Sequence, residues 1–142
     1  SFTARVHWNG GVPMDKRLFK ILVVDDEPDI LEVLARSLPK KLFAQVHTAD
    51  DGTRALEMTR QLQPDFILLD IHMPGHMGWD VLREIRDFDK NVKIVISTDI
   101  FVVPPEDENF ILQQISGYLT KPSSPDDIVH KIIDVLGPEV AR

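Results

Sequence analysis

Short apolar blocks alternate with stretches in which apolar residues recur every three or four positions, from Lys20 to Leu136. Ile21-Leu22-Val23-Val24 and Phe66-Ile67-Leu68-Leu69 are apolar at every position, the pattern of strands covered on both faces of a parallel sheet. Ala44 to Ala49 predicts a second, less apolar strand. Val92 to Ile96 predicts a fourth, ending at Ser97, and Tyr118-Leu119-Thr120 a short last one. Ile30, Leu31, Leu34 and Leu38 predict a first helix. It opens in the capping run Asp25-Asp26-Glu27-Pro28-Asp29, where acids suit the helix dipole, and stops at Pro39 and the following lysines.

Ala55, Met58, Thr59 and Leu62 line a second helix after the Asp51-Gly52 turn. Val81, Leu82 and Ile85 line a third, entered through the loop Ile71 to Gly78. Thr98 to Asn109 is the least regular stretch. Pro104-Pro105 forbids a regular helix there, and a fourth helix is expected from about Glu106 to Gly117. Ser124-Pro125-Asp126-Asp127 opens the last helix with a cap, a proline and acids in the first turn. Its buried face is Ile128, Val129, Ile132, Ile133 and Leu136, and Gly137-Pro138 stops it.

Five strand–helix units in alternation imply an α/β fold, a parallel sheet with helices on both faces and right-handed crossovers. The first seventeen residues carry no sustained apolar period and contain the breaker cluster Asn9-Gly10-Gly11. They are expected to lie outside the fold. Met14 suggests that residues 1–13 are an appended leader, with a flexible arm as the alternative.

Composition narrows the function. The chain has 142 residues, enough for one domain with its own core, and carries a formal charge of −7. It has no cysteine, which excludes a disulfide scaffold, a thiolate metal site and a cysteine nucleophile. No apolar run approaches the ~20 residues of a membrane helix, and no signal-peptide core is present. An acidic balance argues against nonspecific nucleic-acid binding, which needs Lys and Arg against phosphates. A cytoplasmic protein with no membrane contact is the expectation. The five histidines, at 7, 47, 72, 76 and 130, are scattered. His72 and His76 are separated by Pro74-Gly75 and do not share a helix face, which argues against a histidine metal site.

Ligands of an open parallel sheet bind beyond the carboxyl ends of the strands, where strand order reverses. Strand one ends in Asp25-Asp26, strand three in Asp70, strand four in Ser97 and strand five in Thr120-Lys121. Each residue alone has an ordinary reading: a helix cap, a turn aspartate, a solvated lysine, a sheet-edge tyrosine at Tyr118. No capping rule requires four strand ends to agree. Three neighbouring carboxylates repel and raise one another's pKa unless a cation is present. Oxygen-only ligation suits a hard ion such as Mg²⁺, and three aspartates, one lysine and one such ion sum to zero charge. A phosphoryl group on one aspartate could be neutralised there by Mg²⁺, Lys121 and Ser97.

The segments Lys20-Ile-Leu-Val-Val-Asp-Asp-Glu27, Asp70-Ile-His-Met-Pro-Gly-His-Met-Gly78, Ile94-Val-Ile-Ser97 and Tyr118-Leu-Thr-Lys-Pro122 together resemble the response-regulator receiver domain of two-component signalling. The resemblance covers residues 20 to about 137. It implies a flavodoxin-like doubly wound sheet of five parallel strands in the order 2-1-3-4-5, an order that the periodicity does not supply. It assigns 18–137 to the receiver, 1–17 to the leader or arm, and 138–142 to a tail or the start of a linker. Asp70 is then the phosphoacceptor. Asp25, Asp26, Asp70 and the backbone carbonyl of His72 would hold Mg²⁺. Lys121 would pair with phosphoryl oxygens, with a cis bond to Pro122, and Ser97 and Tyr118 would form the switch pair. The partners implied are a sensor histidine kinase or phosphotransfer protein and an output domain or protein partner at residues 99–118, with homodimerisation left open. No direct nucleic-acid contact comes from this domain. It would be no enzyme beyond its own phosphoryl transfer and dephosphorylation.

Three departures from the family pattern stand out. Thr98 occupies a position usually held by Ala or Gly, which would affect phosphodonor access. His72 and Asp99 occupy positions that tune acyl-phosphate lifetime. Pro104-Pro105 falls where the fourth helix should begin, beside the apolar run Ile100-Phe101-Val102-Val103, which could pack inward or form a partner surface. Three other functions compete. An aspartate-nucleophile phosphatase would want a second Asp where His72 stands. A flavodoxin-like cofactor binder would want a phosphate cradle where Asp25-Asp26-Glu27 would repel one. A phosphorylation-independent interaction receiver usually lacks a site residue, and none is missing. No output domain follows Arg142 in this sequence, so a stand-alone receiver and a piece of a longer regulator are both open.

Overall fold

The computed structural model describes residues 8–9, 12–13, 17–73 and 76–142. The expectations for residues 1–7, 10–11, 14–16 and 74–75 lie outside the described residues. Trp8–Asn9 pairs antiparallel with Val12–Pro13, a short ladder that the apolar pattern does not foretell. The central sheet has five parallel strands: β1 (Phe19–Val24), β2 (Ala44–Ala49), β3 (Phe66–Asp70), β4 (Lys93–Thr98) and β5 (Gly117–Thr120). Their order is β2-β1-β3-β4-β5, as the resemblance implies.

Apolarity on both parities becomes two cores. Leu22, Val24, Ile67, Leu69, Ile94 and Ile96 face α2 (Gly52–Leu62), α3 (Gly78–Phe88) and α4 (Glu108–Gln114). Ile21, Val23, Phe66, Leu68 and Val95 face α1 (Pro28–Lys41) and α5 (Pro125–Leu136). The chain runs from β1 outward to β2 and then returns to the other side of β1 as β3. The carboxyl ends of β1 and β3 therefore flank the crevice where strand order reverses.

Two helix boundaries differ from expectation. α1 passes through Pro39 to Lys41. A proline there removes only the bond to the carbonyl of Ala35, which lies on the exposed side and can be hydrated. α1 also has no side-chain cap at its N-cap, Glu27; instead the Asp25 carboxylate accepts from the Glu27 amide at 2.9 Å. α4 stops at Gln114, short of Gly117, after a 3₁₀ turn at Pro105–Asp107. Its early end follows from the sheet, because the Ser116 amide donates to Ile94 O at 2.8 Å. α5 has the expected start, with a reciprocal capping box between Ser124 and Asp127.

The segment 138–142 folds back on the domain. Val140 is fully buried, Ala141 bridges to Leu42, and Arg142 Nε donates to Pro39 O and Leu42 O at the end of α1.

Candidate functional site

All the predicted residues but Tyr118 converge at the crevice. Oxygens of Asp25, Asp26 and Asp70 lie within 4.8 Å of one another. Asp25 and Asp70 are each only 3 % exposed, placed there by the buried runs Ile21–Val24 and Phe66–Leu69. Lys121, just beyond β5, reaches across the rim. Its Nζ donates to Asp25 Oδ2 at 2.7 Å and to Asp70 Oδ2 at 3.2 Å. The Lys121–Pro122 peptide is cis. The other oxygen of Asp70 accepts from the His72 amide at 3.0 Å, so the backbone fixes the orientation of this carboxylate.

Burial is the main force on the Asp70 carboxyl. It raises the pKa above 3.8, helped by Asp25, while Lys121 and the His72 amide pull the other way. Repulsion from Asp25, the force expected among neighbouring aspartates, is the smaller contribution at Asp70. Burial also works against the Lys121 charge, but the hydrogen bond and charge of Asp25, with those of Asp70, outweigh it and lift its pKa above 10.5.

Among the described residues, the group able to hold a metal ion is these three carboxylates, a hard oxygen donor set. That chemistry suits Mg²⁺ better than zinc or copper. The carboxylates and Lys121 line a cleft of about 660 Å³ together with the apolar side chains Ile30, Val33 and Leu34 of α1 and Pro125 and Ile128 of α5.

Ser97 pairs in register with Asp70 on the adjacent strand and is buried, so its hydroxyl belongs to the same rim. Thr98 is buried too. Its hydroxyl donates to Ile100 O at 2.9 Å, engaging the following loop. His72 Nε2 lies 3.8 Å from Asp99 Oδ1, both side chains exposed, over the rim. Tyr118 is 48 % exposed and stacked on Phe101. The run Ile100–Val103 alternates between inward and exposed positions. Phe101 and Val103 pack against the core, while Ile100 and Val102 are exposed.

Two residues escaped the sequence reading. Gly78 N donates to Ile71 O at 2.9 Å, and a Cβ on Gly78 would lie 2.7 Å from Ile71 Cα and 2.8 Å from Asp70 O. The start of α3 therefore presses on the backbone that carries Asp70. Arg86 is buried and binds the end of α4. Its spacing of four from Leu82 placed it on the buried stripe, and that was the available signal.

A sequence profile described as the response regulator receiver domain matches residues 21–133. An uncharacterized response regulatory protein of Staphylococcus epidermidis is 36% identical over 121 residues, 84% of this chain and 47% of that protein. The DNA-binding response regulator MtrA of Mycolicibacterium smegmatis is 36% identical over 122 residues, covering 84% of this chain and 51% of that protein. The chain thus spans about half the length of these curated relatives. Among solved structures, the chemotaxis protein CheY4 of Vibrio cholerae superimposes with a TM-score of 0.70 at 25% identity, covering 84% of this chain and 99% of that one. A CheY-like receiver domain from Methanospirillum hungatei gives a TM-score of 0.72 at 26% identity, covering 83% of this chain and 93% of that one. Fold, rim and sequence agree, and the chain belongs to the response regulator receiver domain family.

Proposed function

We propose that this chain is a phosphorylation-dependent signalling switch whose acceptor is Asp70. The observation that carries the reading is the bridge made by Lys121 between Asp25 and Asp70, inside a trio of carboxylates at the switch point of the sheet. The donor is a phosphohistidine on a sensor kinase or phosphotransfer protein. An Asp70 oxygen forms a bond to phosphorus as the phosphorus–nitrogen bond breaks, and that electron pair leaves on the imidazole.

The His72 amide holds one Asp70 oxygen, so the carboxylate meets phosphorus in a fixed orientation. Lys121 is already poised beside Asp70 and would follow the new charge onto the phosphoryl oxygens. Ser97, one strand over, would offer its hydroxyl to the same oxygens. Asp25 and Asp26, with Asp70 and the His72 carbonyl, would hold Mg²⁺. When bound, the ion neutralises negative charge at the transferring group.

Output follows as a population shift, in which the phosphoryl group stabilises one of two arrangements of Ser97, Tyr118 and the segment 99–118. That segment exposes Ile100, Val102, Phe110 and Leu112, a surface suited to a protein partner or an output domain.

Intact mass after incubation with Mg²⁺ and acetyl phosphate, quenched in acid, tests the reading. One added phosphoryl group on the wild type, absent from Asp70→Asn and absent with EDTA, is the expected result. Label on the Asn variant would move the acceptor elsewhere. A wild type that takes no label would favour an interaction module that works without phosphorylation.

A further inference from the structure

The loop between β4 and α4 places an aromatic ring against Tyr118. The Phe101 and Tyr118 rings are stacked, with centroids 4.1 Å apart and planes inclined by 10°. Phe101 in turn meets Trp79 edge to face, at 6.1 Å and 77°. Trp79 is buried in the first turn of α3, so the column runs from the core beside the acceptor loop out to the edge strand β5. Phe101 and Val103 point inward while Ile100 and Val102 point outward. Both ends of the loop are tied: Thr98 Oγ1 donates to Ile100 O, and Arg83 pairs with Asp107 at 2.7 Å.

We infer that Phe101 is a positioning residue for the switch: it clamps Tyr118 in its outward place, so Tyr118 turns inward only when the loop 99–104 moves with it. This rests on the reading of Ser97 and Tyr118 as the switch pair. Offset and stacked aromatic pairs are favourable beyond the area they bury, so the clamp weights the equilibrium toward the outward arrangement. Releasing it lifts Phe101 off Tyr118 and shifts Ile100 and Val102, the exposed neighbours of Phe101 in the chain. The column thereby links a change at Ser97 to the apolar surface of the loop. A purely structural role for the pair would affect stability and leave the equilibrium of Tyr118 unmoved.

Tyr118 is the one tyrosine of the chain, so 3-fluorotyrosine gives a single ¹⁹F resonance. The protein is titrated with beryllofluoride, a phosphoryl mimic, in Mg²⁺ buffer, as wild type, Phe101→Leu and Phe101→Trp. Leucine keeps an apolar side chain in the loop and removes the stack; tryptophan restores an aromatic face. Thermal melts establish that each variant is folded. The expected result is a Phe101→Leu resonance displaced, without ligand, toward the beryllofluoride-bound position. Half-saturation should also fall about 2- to 10-fold, with Phe101→Trp returning toward wild type. Unchanged half-saturation in Phe101→Leu, with a wild type that responds, overturns the clamp and leaves the acceptor site standing. A wild-type resonance that does not respond to beryllofluoride overturns the switch reading and the clamp together.

Discussion

Arg86 reaches from α3 to the end of α4 and gives the Gln114 carbonyl two hydrogen bonds, at 3.2 Å from Nε and 2.6 Å from Nη2. A third goes from Nη1 to Asp89 O at 3.1 Å. The guanidinium is buried, and that burial depresses its pKa despite the charge of Asp89. It acts as a cationic cap on the final carbonyl of a short helix. Arg86→Met should cost about 2 kcal/mol, the scale of a charge-assisted hydrogen bond lost from a part-buried site. Urea unfolding measures it, and a loss below a few tenths would show that the cap contributes little.

Asp70 should make the unphosphorylated protein less stable at neutral pH than its amide variant. Its folded pKa lies above the ordinary value, through burial first and Asp25 second. Between the unfolded and folded values the native state binds more protons than the unfolded chain, so stability falls as pH rises through that window. Above the window the penalty is fully present; below the ordinary carboxyl value it vanishes. Asp70→Asn should therefore melt higher than wild type at neutral pH in EDTA, and the two should converge in acid. An amide variant that melts lower at neutral pH would contradict this.

Adding Mg²⁺ should stabilise the wild type. The carboxylate trio is assembled in the folded state alone, so binding adds to folding stability, by about 2.7 kcal/mol when the ion is at a hundredfold excess over Kd. Asp26→Asn should abolish most of that gain. Thermal midpoints with and without the ion decide it; an equal gain in the variant would place the ion elsewhere.

Gly78→Ala should reduce both stability and phosphoryl acceptance. The new methyl would sit 2.7 Å from Ile71 Cα and 2.8 Å from Asp70 O, backbone atoms that cannot turn aside. Overpacking of this kind costs about 1–3 kcal/mol. The shift it forces falls on the peptide that carries Asp70, the proposed acceptor, so the acetyl phosphate labelling rate should drop as well. A variant that is destabilised but labels at the wild-type rate would show that the close approach serves packing alone.

How much of this was legible beforehand depends on the range of the forces involved. β2 has the predicted bounds, Ala44–Ala49, because alternation and turn residues act locally. The rim was legible because Asp25, Asp70, Ser97 and Lys121 each stand at the end of a predicted strand, and a parallel sheet must bring those ends together. Pro39 misled because a helix end tolerates proline when the freed carbonyl faces water. The segment 98–116 was obscure for the opposite reason. Its course is set by Arg86, Trp79 and Tyr118, partners distant in sequence, and no local pattern encodes them.

The back-folded end of the chain has a practical corollary for handling this protein. α1 begins beside the acidic crevice and its fourteen residues end under Arg142, a span of about 20 Å at the helical rise of about 1.5 Å per residue. A fluorophore or affinity handle joined after Arg142 would sit at the opposite rim, clear of the acidic crevice. Trimming the chain at Gly137 to make a tidier fragment would do the reverse. It would pull Val140 from the interior and uncap the far end of α1, trading a harmless extension for a weakened domain.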